Sequence, residues 1–263
     1  MFDLTMFSIL LPALAAGLLV LASHVVMGRQ VLARGIIFID LAIAQIAALG
    51  AVIASTNHEL AHLPAVNLWM PAVFALLGAG VIALLEKHAK GELEAMIGCL
   101  YVLSAVAAML VLAKDPHGGE LLKQLLSGQI LWTDWAALKL PALATVGVLG
   151  LLWWRPSLMS GRAFYPLFAV MITFSVQLVG VYLVFSSLIL PALAVNRLSG
   201  GRAVMWGYGC GISGYLLGLW LSASWDLPSG ATIVCTLAGV SLAVRLLLNR
   251  RTRLNASGHG VNV

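Results

Sequence analysis

The sequence is poor in charge: Asp, Glu, Lys and Arg make up only 10% of its 263 residues, against 61% hydrophobic. A soluble domain carries about 25% charged residues to wet its surface, so this composition excludes a chain that folds in water. Cysteine is scarce. Cys99, Cys210 and Cys235 lie far apart inside apolar segments, with neither metal-ligand spacing nor a disulfide framework, and read as small buried hydrophobes. No Lys or Arg precedes the first apolar run, which follows Met1-Phe2-Asp3, so that run is expected to be a permanent span and not a cleaved signal. No G-x-x-x-x-G-K-[ST] loop occurs, which excludes P-loop ATP hydrolysis by this chain. The formal net charge of +5 is spread as basic pairs between apolar stretches. That leaves no continuous basic face for nucleic acid, and lipid is the expected surroundings.

What the sequence has is long charge-free stretches. A hydrocarbon core about 30 Å thick needs about 20 apolar residues of helix. Runs of that kind cover roughly residues 5–27, 36–55, 66–85, 95–113, 137–154, 164–185, 203–224 and 229–248. They are too long and too uniformly apolar for the alternating strands of a membrane barrel, so an all-α polytopic membrane protein of about eight or nine helices is predicted. The uncharged region 163–196 exceeds one span, and Ser186, Ser187 and Pro191 are expected to break it into a full helix and a short return crossing. Residues 1–250 then form one membrane domain, and 251–263 a disordered cytoplasmic tail.

Basic residues orient the spans. With the N-terminus outside, the pairs Arg29/Arg34, Lys87/Lys90, Arg155/Arg162 and Arg197/Arg202 and the run Arg250-Arg251-Thr252-Arg253 all fall in the cytoplasm. Residues 56–65, the mixed-charge loop 114–135 and the turn at Asp226 fall outside. Trp69, Trp132, Trp135, Trp153, Trp154, Trp206 and Trp225 lie near span ends, as an aromatic belt requires. Gly207/Gly211 and Gly214/Gly218 have the small-xxx-small spacing of closely packed membrane helices.

Several residues could carry chemistry. His58-Glu59-Leu60-Ala61-His62 is a literal H-E-x-x-H, which on a helix sets two imidazoles one turn apart beside a general-base carboxylate. It supports an alternative function, an intramembrane zinc metalloprotease with Asp226 as a third ligand. Against that, the motif starts where the second span ends and Pro64 follows it at once, which favours a polar external loop, with metal contact during entry as a separate, lesser reading. Asp40 and Gln45 interrupt the second span, and an ionisable residue inside a membrane marks a pathway by default. His24 reads as a hydrogen-bonded packing histidine, Gln177 as a bridge between helices, and Glu86, Lys87, Lys90, Glu92 and Glu94 as a solvated connector. Asp226 is expected to cap the last helix, with Pro228 in its first turn.

Three stretches, and a fourth loop, carry a family likeness. They are Val179-Gly180-Val181-Tyr182-Leu183-Val184 running into Ser187-Leu188-Ile189-Leu190-Pro191-Ala192-Leu193-Ala194; Asp226-Leu227-Pro228-Ser229-Gly230; Phe38 through Gly50; and Leu126-Ser127-Gly128-Gln129-Ile130-Leu131. In order and spacing the chain resembles the zinc/manganese/iron ABC-transporter permease family of bacteria. Where that family's second span carries a carboxylate and, four residues later, a histidine, this chain has Leu41 and Gln45, with Asp40 displaced by one. The resemblance implies an ABC-importer permease of the bacterial cytoplasmic (inner) membrane, working as a homodimer. It implies a divalent cargo, zinc before manganese or iron, with Asp40 and Gln45 as polar metal-contacting groups of the pore; His58, Glu59 and His62 are assigned to its mouth from position alone, where their imidazole and carboxylate groups would meet the ion. A separate ABC ATPase subunit would bind the ATP and meet Arg197, Ser199, Gly200 and Arg202. An external metal-binding protein would deliver cargo, and the chain itself would hold no cofactor and perform no catalysis.

Overall fold

The computed structural model describes residues 4–57, 62–89, 91–113, 115–128 and 130–258. Ten α-helices account for most of them: α1 Leu4–Arg34, α2 Ile39–Thr56, α3 Val66–His88, α4 Leu93–Leu112, α5 Gly118–Ser127, α6 Trp135–Trp154, α7 Phe164–Val179, α8 Val181–Ala194, α9 Gly200–Trp225 and α10 Ser229–Gly258. Short 3-10 turns at Ile130–Trp132 and Pro156–Met159 flank α6. Among the described residues, six helices (α1, α2, α3, α4, α6 and α10) are long and apolar enough to cross a membrane, and α7 with α8 form a further pair bent by 120°. At 26 residues α9 is also long enough, though its glycines make it less apolar.

The helices end for local reasons. Gly35 at φ +68° closes α1, with Ile36 N–H reaching back to the Val31 carbonyl. Asp134 accepts the Ala137 N–H at 2.7 Å and starts α6. The N-terminus of α2 has no cap of its own, because Phe38 stands at the cap position. A carboxylate from another helix serves instead: Glu94 Oε1 accepts the Phe38 N–H at 3.1 Å.

The break in 163–196 falls at Gly180, not at the serines. Gly180 has φ +79°, a conformation that side chains rarely adopt. Ser186 and Ser187 stay helical by donating to the Tyr182 and Leu183 carbonyls at 2.8 and 2.6 Å. The return crossing is therefore longer than predicted and begins at Val181. Its two ends fix its direction. Gly180 touches Gly128, in the loop predicted outside, while Arg29, at the cytoplasmic end of α1, donates to the Gly200 carbonyl at 3.5 Å just beyond α8. The turns after α1, α3 and α8 and the turn before α7, all predicted cytoplasmic, thus lie together at one end, joined through Arg29 and Arg34. The mixed-charge loop 114–135 holds a helix: α5 packs Leu121, Leu122 and Leu125 against Val52, Ala108 and Leu112.

The core lies where α1, α2, α7, α8 and α9 meet, and Ala13, Val25, Ile43, Phe168, Ile172, Leu183, Leu188 and Tyr215 are buried there. The glycines of α9 act inside the chain, as their spacing predicts. Gly207 and Gly211 receive Val25 and Leu21 of α1, and Gly214 and Gly218 receive Leu237 and Ile233 of α10. Leucines such as Leu77, Leu103, Leu110 and Leu143 face outward, the arrangement lipid requires.

Candidate functional site

Asp40 sits in the first turn of α2 at 1% exposure, and Gln45 lies farther along the same helix at 2%. Both are sealed within the protomer. Neither Asp40 oxygen has a well-formed hydrogen bond; only the amides of Asp40 and Leu41, at the helix N-terminus, lie near them. A buried carboxylate without partners costs several kcal/mol, either as desolvation of the ion or as uptake of a proton, so packing alone does not account for it. Glu94 of α4 is the charged neighbour that Asp40 feels, and its Oε2 is also buried without a partner. Glu94 is therefore more than the solvated connector the sequence suggested: it caps α2 and adds a second carboxylate beside Asp40. Leu41, at the family's carboxylate position, turns away from Asp40 into an open apolar groove with Phe38, Ala95, Gly98, Cys99 and Val102.

Arg34 holds together the end of this region that the basic residues predict to be cytoplasmic. Its guanidinium donates to the Met159 and Gly161 carbonyls at 2.8 and 2.9 Å and pairs with Glu86 at 3.5 Å. It also stacks over Phe164 and Tyr165, 4.6 and 5.4 Å from the ring centroids. One side chain thus ties the end of α1 to α3, to the turn before α7 and to α7 itself. None of these contacts involves Asp40.

The remaining predicted groups are dispersed. His58 and Glu59 lie outside the described residues, and His62 is exposed in the turn before α3. Asp226 closes α9 in the left-handed conformation (φ 52°) instead of capping α10, and the Pro228 carbonyl accepts the Thr232 N–H at 3.0 Å ahead of that helix. Among the described residues no group of three His, Cys, Asp or Glu comes together. His24 is fully buried and its Nδ1 lies 3.1 Å from Ser23 Oγ, the packing role expected, whereas Gln177 is exposed. Of the segment 196–202, Arg197 reaches Asn249 Oδ1 at 2.9 Å, and Ser199, Gly200 and Arg202 are exposed.

Three of the four motif segments converge at the end of the bundle predicted to face outward. Gly128 (φ +66°) and Gly180 (φ +79°) press their backbones together so closely that a Cβ on either would overlap the other segment, and a Cβ on Gly230 would lie 2.5 Å from the Ser127 carbonyl oxygen. Segments separated by about 50 residues each thus meet at one point, a small cleft lined by Ser127, Gly128, Trp132, Pro228, Ser229 and Gly230. The sequence signal was present as three motifs, but nothing in it showed that they touch.

Comparison with known proteins agrees with this geometry. The model described as "ABC 3 transport family" matches residues 155–247. PsaBC from Streptococcus pneumoniae, solved in complex with Fab, has a chain of similar fold with a TM-score of 0.72 and 20% identity, over 90% of each chain. A metal-chelate type ABC transporter in an inward-facing conformation gives a TM-score of 0.67 at 15% identity, over 89% of this chain and 84% of the other. No curated protein matches the chain. The chain is a polytopic membrane protein with the permease fold of ABC transporters, and over residues 155–247 it carries the sequence signature of the ABC 3 transport family.

Proposed function

We propose that this chain is the membrane-spanning permease subunit of an ATP-driven importer for a divalent transition metal, zinc first, with manganese or iron as the other cargoes. Two copies pair in the bacterial inner membrane, a separate ABC ATPase supplies the energy, and an external metal-binding protein delivers the ion. The observation that carries this reading is the meeting of Gly128, Gly180 and Gly230, where segments resembling the metal-permease family at three separate places pack backbone to backbone. The buried, poorly partnered carboxylate of Asp40 adds to it, as an ionisable group kept in a membrane helix against its desolvation cost. Asp40 and Gln45 would meet the cargo inside the protomer, with His58, Glu59 and His62 at the outer mouth. Arg197, Ser199, Gly200 and Arg202, exposed at the inner end of α8, would receive the ATPase.

The test is total cellular metal by mass spectrometry, under chelation, in a strain lacking the gene and in one with it restored. A fall in one transition metal that restoration reverses is expected, and it names the cargo. Unchanged content of every transition metal would refute the metal assignment.

A further inference from the structure

The contact at Gly128, Gly180 and Gly230 has two features beyond its tightness. First, the amides at its centre are already used: Gly128 N–H is bonded to the Gln124 carbonyl and Gly180 N–H to Val176, each within its own helix, at 2.9 Å. The two segments can part without sacrificing either bond. Second, α8 starts at Gly180, the break where it bends by 120° from α7, and a pivot of α8 would fall there. That helix is 14 residues long, about 21 Å, and runs unbroken from the outer contact to the inner turn at residues 195–199. A rotation of about 10° at Gly180 displaces the inner end by about 4 Å on that length. Ser127 and Gly128 end α5, whose leucines are seated on α2 and α4, and Gly230 opens α10. The outer contact therefore joins the pivot to three other parts of the bundle at once.

We propose that Gly128, Gly180 and Gly230 form an outer latch that closes and parts in each cycle, so that α8 works as a lever between the external face and the inner turn. This rests on the ABC-permease reading above. The latch needs glycine at Gly128 and Gly180 for a physical reason: both have positive φ and neither leaves room for a Cβ.

The test uses Ser127→Cys with Ser229→Cys in a chain whose native cysteines are replaced. Both serines line the cleft, neither is a latch glycine, and serine to cysteine is nearly isosteric. The chain is purified from native membranes with whatever ATPase accompanies it, and the pair is bridged with a short bifunctional methanethiosulfonate. Bridging is expected to slow about tenfold in magnesium-ATP with vanadate relative to nucleotide-free protein, one factor of ten in the closed population. Bridged protein should lose most of its ATP hydrolysis and recover it with dithiothreitol. Equal bridging rates in a preparation that hydrolyses ATP, or undiminished hydrolysis after bridging, would overturn the latch alone. A preparation with no ATP hydrolysis before bridging would overturn the ABC reading and the latch with it. Gly128→Ala gives a second arm: where it accumulates in the membrane, bridging in the same cysteine background should be slow even without nucleotide, and wild-type rates would count against the proposal.

Discussion

Replacing Asp40 with Asn separates a carboxylate kept for cargo from one kept for structure. Asn has nearly the same shape, so the packing around a side chain only 1% exposed is preserved while the charge is removed. The effective penalty of burying an ion is several kcal/mol. The nearby first-turn amides offset about 0.3–2 kcal/mol of it, and the Glu94 carboxylate works in the opposite direction. The substitution should therefore stabilise the chain by about 1–3 kcal/mol. At about 2–4 °C per kcal/mol for a chain of this size, the unfolding midpoint in detergent should rise by about 2–12 °C. Metal uptake by cells carrying the variant should fall at least about tenfold, the loss of about 1.4 kcal/mol of interaction with the ion. A midpoint that drops by several degrees would mean that the carboxylate holds the fold together. Unchanged uptake would remove Asp40 from the path.

Three further outcomes follow from contacts described above. Gly218→Ala places a Cβ 2.6 Å from the Ile233 Cα and should destabilise by about 1–3 kcal/mol, whereas Gly209→Ala meets nothing within 4 Å and should be neutral or slightly stabilising; paired thermal melts check both. Arg34→Lys loses the fork that reaches two carbonyls and the planar stack on Phe164, and should lower stability by about 2 kcal/mol in the same assay. Glu59→Gln should leave most metal uptake intact; a proteolytic activity of the chain that the substitution abolishes would instead favour the zinc metalloprotease reading of H-E-x-x-H.

The spans were legible because bilayer thickness acts on the sequence directly, and the basic pairs foretold which turns gather at one end. The second-span polar pair could be picked out for the same reason, since any ionisable group is conspicuous there. Its surroundings could not. Glu94 looked like one of several loop charges, and only the approach of α4 to α2 makes it the cap that Phe38 cannot provide. The break at Gly180 was hidden by two serines that looked like better breakers, because a serine that bonds its own helix backbone leaves no trace in composition. Arg34 read as a topology marker, and its stack and its carbonyls, about 125 residues away, come from tertiary contact. Asp226 was read forward into α10 when it closes α9, since a short turn between two helices offers each end the same residues.

The bent pair also bears on how the chain is made. With 16 residues in α7 and 14 in α8, neither helix reaches the roughly 20 needed to cross a bilayer alone. Their surfaces are almost wholly covered by other helices, so lipid is not their final solvent. An insertion channel meeting residues 164–194 would find a hairpin unable to rest in the membrane unless α1, α2 and α3 were already present to receive it. Biogenesis of this protein should then depend on the order of synthesis. A chain released after α8 but before α9 should leave the hairpin poorly anchored, and a circular permutation that begins at α7 should be degraded.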